Sequence, residues 1–111
     1  MKQGEIWYAN LNPIKGQEQA GVRPVVIISG NLLNTHLHIV ICCPLTSKIK
    51  NYKGNVVLQP TTKNKLKQLS EILVFHIRSI SKERLTKKIG EITTNELLII
   101  KQTLNEIMDY N

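Results

Sequence analysis

No stretch of this 111-residue chain is apolar for long enough to cross a bilayer, since the runs from Val25 to Ile28 and from Ile39 to Cys43 are only a strand in length. Met1-Lys2-Gln3-Gly4 leads into a strand rather than a signal-peptide core, so a cytoplasmic protein with no membrane partner is expected. Cysteine is scarce. Cys42 and Cys43 are adjacent in a predicted strand, where their side chains point to opposite faces and cannot easily bridge; both read as small buried hydrophobes. His36 and His38 make no ligand spacing with them, and no metal or cofactor is expected. Acidic residues are also few. Eight Asp and Glu against 15 Lys and Arg give a net charge of +7, a field that draws in polyanions such as nucleic acid or an acidic protein, although a basic protein that is merely soluble has the same balance. There is no internal repeat or low-complexity tract. The 41% apolar and 21% charged fractions are those of a folded chain, and the length fits one domain, residues 1–111, around a single core.

The chain is organised around Gly16-Gln17-Glu18-Gln19-Ala20-Gly21-Val22-Arg23-Pro24, a polar stretch that runs into the apolar strand Val25-Val26-Ile27-Ile28. A permanently charged guanidinium at the mouth of a buried strand suits a phosphate, because its planar fork holds two oxygens at once. Gly16 and Gly21 let the loop take positive φ, and Pro24 fixes φ just after the arginine. An ordinary loop in which Arg23 pairs with Glu18 satisfies the same residues.

Taken in order, Glu5 to Ala9 reads as a first strand, Val22 to Ser29 as a second and His38 to Pro44 as a third. Asn31 to Thr35 between them is a helical turn or a loop. Leu45-Thr46-Ser47-Lys48 gathers hydroxyls at a strand end. Lys48 to Gly54 reads as a basic, hairpin-like connection, in which lysine beside Tyr52 can hold phosphate while the ring stacks on a base, or can simply guard a strand edge. Asn55 to Gln59 is a fourth strand. Pro60 to Ser70, with Lys63, Lys65 and Lys67, is expected to be mobile, and Glu71 to Arg78 is expected to be one continuous fifth strand with Ile72, Val74 and His76 on one face. Ser81 caps a short helical turn, and Lys87 to Ile92 adds a sixth strand with Gly90 as a bend or bulge. Thr93-Thr94-Asn95-Glu96 fits a capping box that opens a helix with Leu97, Ile100, Leu104, Ile107 and Met108 on one face. The pattern predicts a small, mostly β (α+β) barrel of five to seven short strands with a C-terminal helix.

Gly4-Glu5-Ile6-Trp7, Leu11-x-Pro13, Gly16-x-Glu18-Gln19-x-Gly21-x-Arg23-Pro24-Val25, Leu45-Thr46-Ser47, Ile77-Arg78-Ser79-Ile80 and Arg84-Leu85 to Ile89-Gly90 resemble, in that order, the MazF/PemK toxins. These are the growth-arresting endoribonucleases of bacterial toxin-antitoxin pairs. The resemblance covers nearly the whole chain. It implies an SH3-like barrel of the CcdB/PemK type, a homodimer whose groove binds single-stranded RNA, metal-independent cleavage, and a cognate acidic antitoxin that occupies the groove. DNA would be met only through that antitoxin.

The resemblance also implies site roles. Without a metal, RNA is cut by its own ribose: the 2′-OH attacks phosphorus to leave a 2′,3′-cyclic phosphate and a 5′-OH. Arg23 matches the catalytic arginine and would stabilise charge on the phosphorane oxygens. Thr46 matches the catalytic threonine; read alone, it is a strand-end residue bonding backbone. Ser47 and Lys48 follow it as RNA-contact candidates. Gln17 and Gln19 lie in the substrate-facing loop, where Gln19 offers an amide to a base edge and Glu18 orders the loop. Some relatives carry Ser or His where Gln17 stands, so no proton-transfer role passes to it. His76 stands where relatives often have an RNA-contacting Gln, and equally reads as a satisfied strand-face histidine. Arg78 could touch phosphate or pair with an acid. Two other readings stay open: a gyrase inhibitor resembling CcdB, against which stands the lack of a C-terminal tryptophan, the sole Trp being Trp7, and an RNA-binding barrel that does not cut.

Overall fold

The computed structural model describes residues 1–11 and 21–109. Along them run β1 (Glu5–Asn10), β2 (Val22–Ile27), α1 (Asn31–His36), β3 (Ile39–Thr46), β4 (Val56–Leu58), β5 (Ser70–Ile72), β6 (Arg78–Ser81), β7 (Leu85–Glu91) and α2 (Thr94–Ile107), with 3-10 turns at Val74–His76 and Lys82–Arg84. The strands form one antiparallel, curled sheet in the order β4-β5-β3-β2-β1-β7, with β6 also on β3. This is the mostly β architecture with a C-terminal helix that the sequence predicts.

Where composition led us to expect a single core, apolar side chains gather in two clusters. Val25, Ile27, Val40 and Cys42 belong to one, and Val26, Ile28, Cys43 and Leu45 to the other. Side chains alternate along a strand, so an unbroken run of β-branched residues has apolar groups on both faces and is stable only where both are covered. Cys42 and Cys43, both fully buried, are split between the clusters as the alternation requires.

β3 is the hub of the sheet. Along one edge it pairs with β2; along the other its first half pairs with β6 and its last two residues with β5. The continuous strand expected over residues 71–78 is therefore broken in two. Leu45 faces Ile72 whereas Cys42 faces Arg78, so three steps along β3 correspond to six along residues 72–78, and the 3-10 turn absorbs the excess. Inside the break, the Val74 N–H donates to the Asn55 side chain at 3.0 Å instead of to a neighbouring strand. The connection after Thr46 is likewise no hairpin, because β5 separates β3 from β4.

α2 opens with the expected capping box: the Glu96 N–H donates to Thr93 Oγ1 at 3.1 Å and the Thr93 N–H to Glu96 Oε1 at 2.7 Å, a cap worth about 1 kcal/mol. Ile100 is fully buried, with Leu97 and Leu104 packed against the same cluster. The apolar face is not covered to its end, since Ile107 and Met108 are exposed. Thr103 is buried instead, its hydroxyl donating to the Gly54 carbonyl at 2.7 Å.

Candidate active site

The β2–β3 ladder ends at the pair Val25 and Pro44. Neither Pro24 nor Pro44 has an N–H to carry it further, and Leu45 and Thr46 pair with Ile72 and Glu71 on the other side. The two strands part there. A cleft of about 690 Å³ opens between them, and Arg23 and Thr46 both line it. Arg23 is two residues before Val25 and Thr46 two after Pro44, so alternation along the two strands puts both on one face of the sheet. Ser47, Lys48, Gly21 and Pro24 line the same cleft. Gly21 has φ +92, which glycine alone adopts freely, and its carbonyl accepts from the Leu11 N–H at 3.0 Å. Gly16, Gln17, Glu18 and Gln19 lie outside the described residues. His76 is exposed at the end of its 3-10 turn and is not among the residues lining the cleft.

Thr46 Oγ1 accepts from the Lys48 N–H at 3.1 Å. This is the local backbone bond that a strand-end threonine makes, and it fixes the oxygen while leaving the hydroxyl proton to donate. Directly across the strand pair from Thr46 is Glu71, fully buried. Its carboxylate accepts from the N–H groups of Lys50, Asn51 and Tyr52 at 2.7, 2.9 and 3.0 Å and from the Asn55 amide at 2.9 Å. Asn51 sits at φ +55, which turns three successive N–H groups toward one point. Burial pushes the Glu71 carboxyl up, but the bonds from Asn55, Asn51, Lys50 and Tyr52 outweigh it and hold the group below its ordinary value. The loop bearing Ser47 and Lys48 is thus tied to a buried anion beside the threonine.

A second part of the wall comes from residues to which no site role of their own was given from sequence: Lys65, Lys67 and Gln68, with Tyr8 also in the lining. The only signal for them was alternating lysine in a polar stretch. With Arg23 and Lys48 they make a lining that contains four cations and, among the described residues, no carboxylate. Acids are engaged elsewhere. Glu5 accepts from the Lys2 N–H at 2.9 Å and from Trp7 Nε1 at 3.0 Å and pairs with Lys88 at 3.1 Å, while Glu91 pairs with Lys63 at 3.2 Å. Arg78, for which an acidic partner was one expectation, makes no ion pair among the described residues. No three His, Cys, Asp or Glu side chains among them lie close enough to hold a metal.

Residues 2–108 match the family described as PemK-like, MazF-like toxin of type II toxin-antitoxin system. The chain is 31% identical over 106 residues to the endoribonuclease MazF of Staphylococcus saprophyticus, covering 95% of this chain and 88% of that protein. The crystal structure of MazF from Deinococcus radiodurans superposes with a TM-score of 0.82 at 26% identity, over 99% of this chain and 97% of that one. A mycobacterial endoribonuclease solved in complex with its cognate antitoxin has the same fold, with a TM-score of 0.76 at 21% identity over 100% and 95% of the two chains. The fold and site define a class of small proteins: a curled antiparallel sheet with a C-terminal helix and a cleft whose described lining is basic. The chain belongs to the PemK-like, MazF-like toxin family.

Proposed function

We propose that this chain is the toxin of a type II toxin-antitoxin pair, a single-domain, sequence-selective endoribonuclease that acts in the cytoplasm on single-stranded RNA, chiefly messenger RNA. One observation carries the reading: Arg23 and Thr46, on different strands, line the same cleft, which among the described residues holds four cations and no carboxylate. The reaction is transesterification. The 2′-OH loses its proton as its oxygen bonds to phosphorus, the bond to the 5′ oxygen breaks, and that oxygen takes up a proton, leaving a 2′,3′-cyclic phosphate and a 5′-OH. Negative charge builds on the non-bridging oxygens. The Arg23 guanidinium meets it with two parallel donors, and the Thr46 hydroxyl, its oxygen fixed by the Lys48 N–H, donates to a phosphoryl oxygen. Ser47 and Lys48 hold the strand beside the reacting phosphate. A second copy of the chain and a cognate acidic antitoxin are the expected partners, the antitoxin neutralising the same cationic cleft.

Arg23→Ala and Thr46→Ala should each lower cleavage by roughly 10²–10³-fold, the loss usual when one preorganised donor is removed, with circular dichroism unchanged. Purified protein incubated with RNA in a chelator should release defined fragments ending in cyclic phosphate. Full cleavage of a substrate with 2′-deoxyribose at the cut site would overturn the mechanism. Intact RNA together with trapped gyrase–DNA adducts would overturn the function.

A further inference from the structure

The cleft's second wall is built rather than draped. Asn64, 3% exposed, sits at its root and uses its whole side chain. Oδ1 accepts from the Thr61 and Leu66 N–H groups, each at 3.0 Å, and Nδ2 donates to the Gln59 carbonyl at 2.8 Å. Its own N–H donates to Thr61 Oγ1 at 3.0 Å, and Leu66 packs on an apolar cluster. The segment expected to be mobile is instead pinned at both its polar and its apolar side. It also lies on β7: the Glu91 N–H donates to the Lys63 carbonyl at 3.2 Å. That approach requires Gly90, because a Cβ there would stand 2.7 Å from the Lys63 carbonyl oxygen and 2.6 Å from the Asn64 carbonyl carbon, and would overlap the Asn64 oxygen. Between these fixings Lys65 is held at φ +55, a left-handed conformation that lysine does not favour.

We propose that residues 61–69 form a preset phosphate-gripping wall, in which Lys65 and Lys67 hold the backbone of the RNA strand that passes Arg23 and Thr46, and Asn64 and Gly90 are positioning residues for them. This rests on the reading of the cleft as an RNA-cutting site. A lysine needed only for folding would not be kept in a conformation that asparagine or glycine adopts more readily. A rigid wall presents its cations already in place, so less ordering accompanies binding.

The test uses the full chain and a single-stranded RNA carrying 2′-deoxyribose at its mapped cut site, with affinity measured by anisotropy across a salt series. Lys65→Asn, which fits the backbone and removes the charge, should keep or raise the melting temperature. It should also lower the slope of log affinity against log salt by about 0.7, the value for one phosphate contact to a single strand. Lys67→Gln should lower the slope equally. On the cleavable substrate both should raise KM by about 3–10-fold, with kcat within about 2-fold of the parent. Gly90→Ala should raise KM through displacement of the wall; if it fails to fold, the two lysine variants decide. Unchanged slopes and KM in both, in a parent protein that cuts RNA, would overturn the wall and leave the proposed function standing. A parent that cuts no single-stranded RNA would overturn the function itself.

Discussion

Thr46 makes the backbone hydrogen bond of an ordinary strand-end threonine and also lines the cleft, because a hydroxyl oxygen that accepts from Lys48 still has a proton to give. For Arg23 residue type alone left two readings open, a phosphate-holding guanidinium or a loop ion pair with Glu18, and its place among the cleft-lining residues comes from the fold. Glu71 and Asn64 were not legible. Their partners are backbone groups of loops folded against them, and nothing in residue type announces which carboxylate or amide will be buried. The cysteines show the opposite case: residue type read both as small buried hydrophobes, and both are fully buried. Burial pushes the Cys42 thiol up to about 11, against a smaller opposing pull from Arg78, and burial together with Cys42 pushes Cys43 up to about 12. Both remain neutral thiols at physiological pH. Ellman's reagent should leave the native protein unlabelled near pH 8 and titrate both thiols in denaturant; rapid labelling of the native state would contradict their burial.

Among the elements, strand type was readable from β-branched runs, but strand continuity was not. The segment 71–78 alternates well enough to pass for one strand, yet Leu73 and Val74 are both buried, and the three-residue mismatch with β3 is set by a neighbour remote in sequence. The loop from Ser47 to Asn55 depends on such a neighbour too. Glu71→Gln keeps the shape of the side chain but turns an amide donor toward a nest that already consists of donors. It should destabilise the fold by roughly 2–4 kcal/mol, seen as a lower urea midpoint with an unchanged slope. Cleavage measured well below that midpoint should fall as well, because the loop carrying Ser47 and Lys48 loses its anchor. Activity equal to the parent would show that the loop finds its place without the carboxylate.

At the scale of the molecule, Glu71 and Glu5 are bound into the scaffold, while Arg23, Lys48, Lys65 and Lys67 line the cleft. Glu71 and Glu5 both have folded pKa values below the ordinary carboxylate range, Glu5 because the bonds from Trp7, Lys2 and Lys88 outweigh the upward push of burial. A depressed folded pKa contributes stability that is present above the unfolded value, near 4, and is lost as pH falls through the folded one. Denaturant midpoints should therefore be flat near neutrality and fall once pH drops below about 4.5, with a shallower fall in Glu71→Gln. Lys88, raised by Glu5 and Glu91, acts oppositely: its contribution is intact at neutral pH and fades only at strongly alkaline pH. An acid limb unchanged by Glu71→Gln would mean that this carboxylate is not among the groups that set it.

By itself the sequence determined most of the strand segments, where the capped helix begins and that the charge is positive. These follow from periodicity, capping and residue type, all of which are local. The tertiary structure alone decided that β2 and β3 part at two prolines to open a cleft, that a buried carboxylate ties down one wall, and that Asn64 and Gly90 set the other. Each of these depends on a backbone group meeting a side chain or a strand from elsewhere in the chain, and such meetings are fixed by packing rather than by neighbours in sequence.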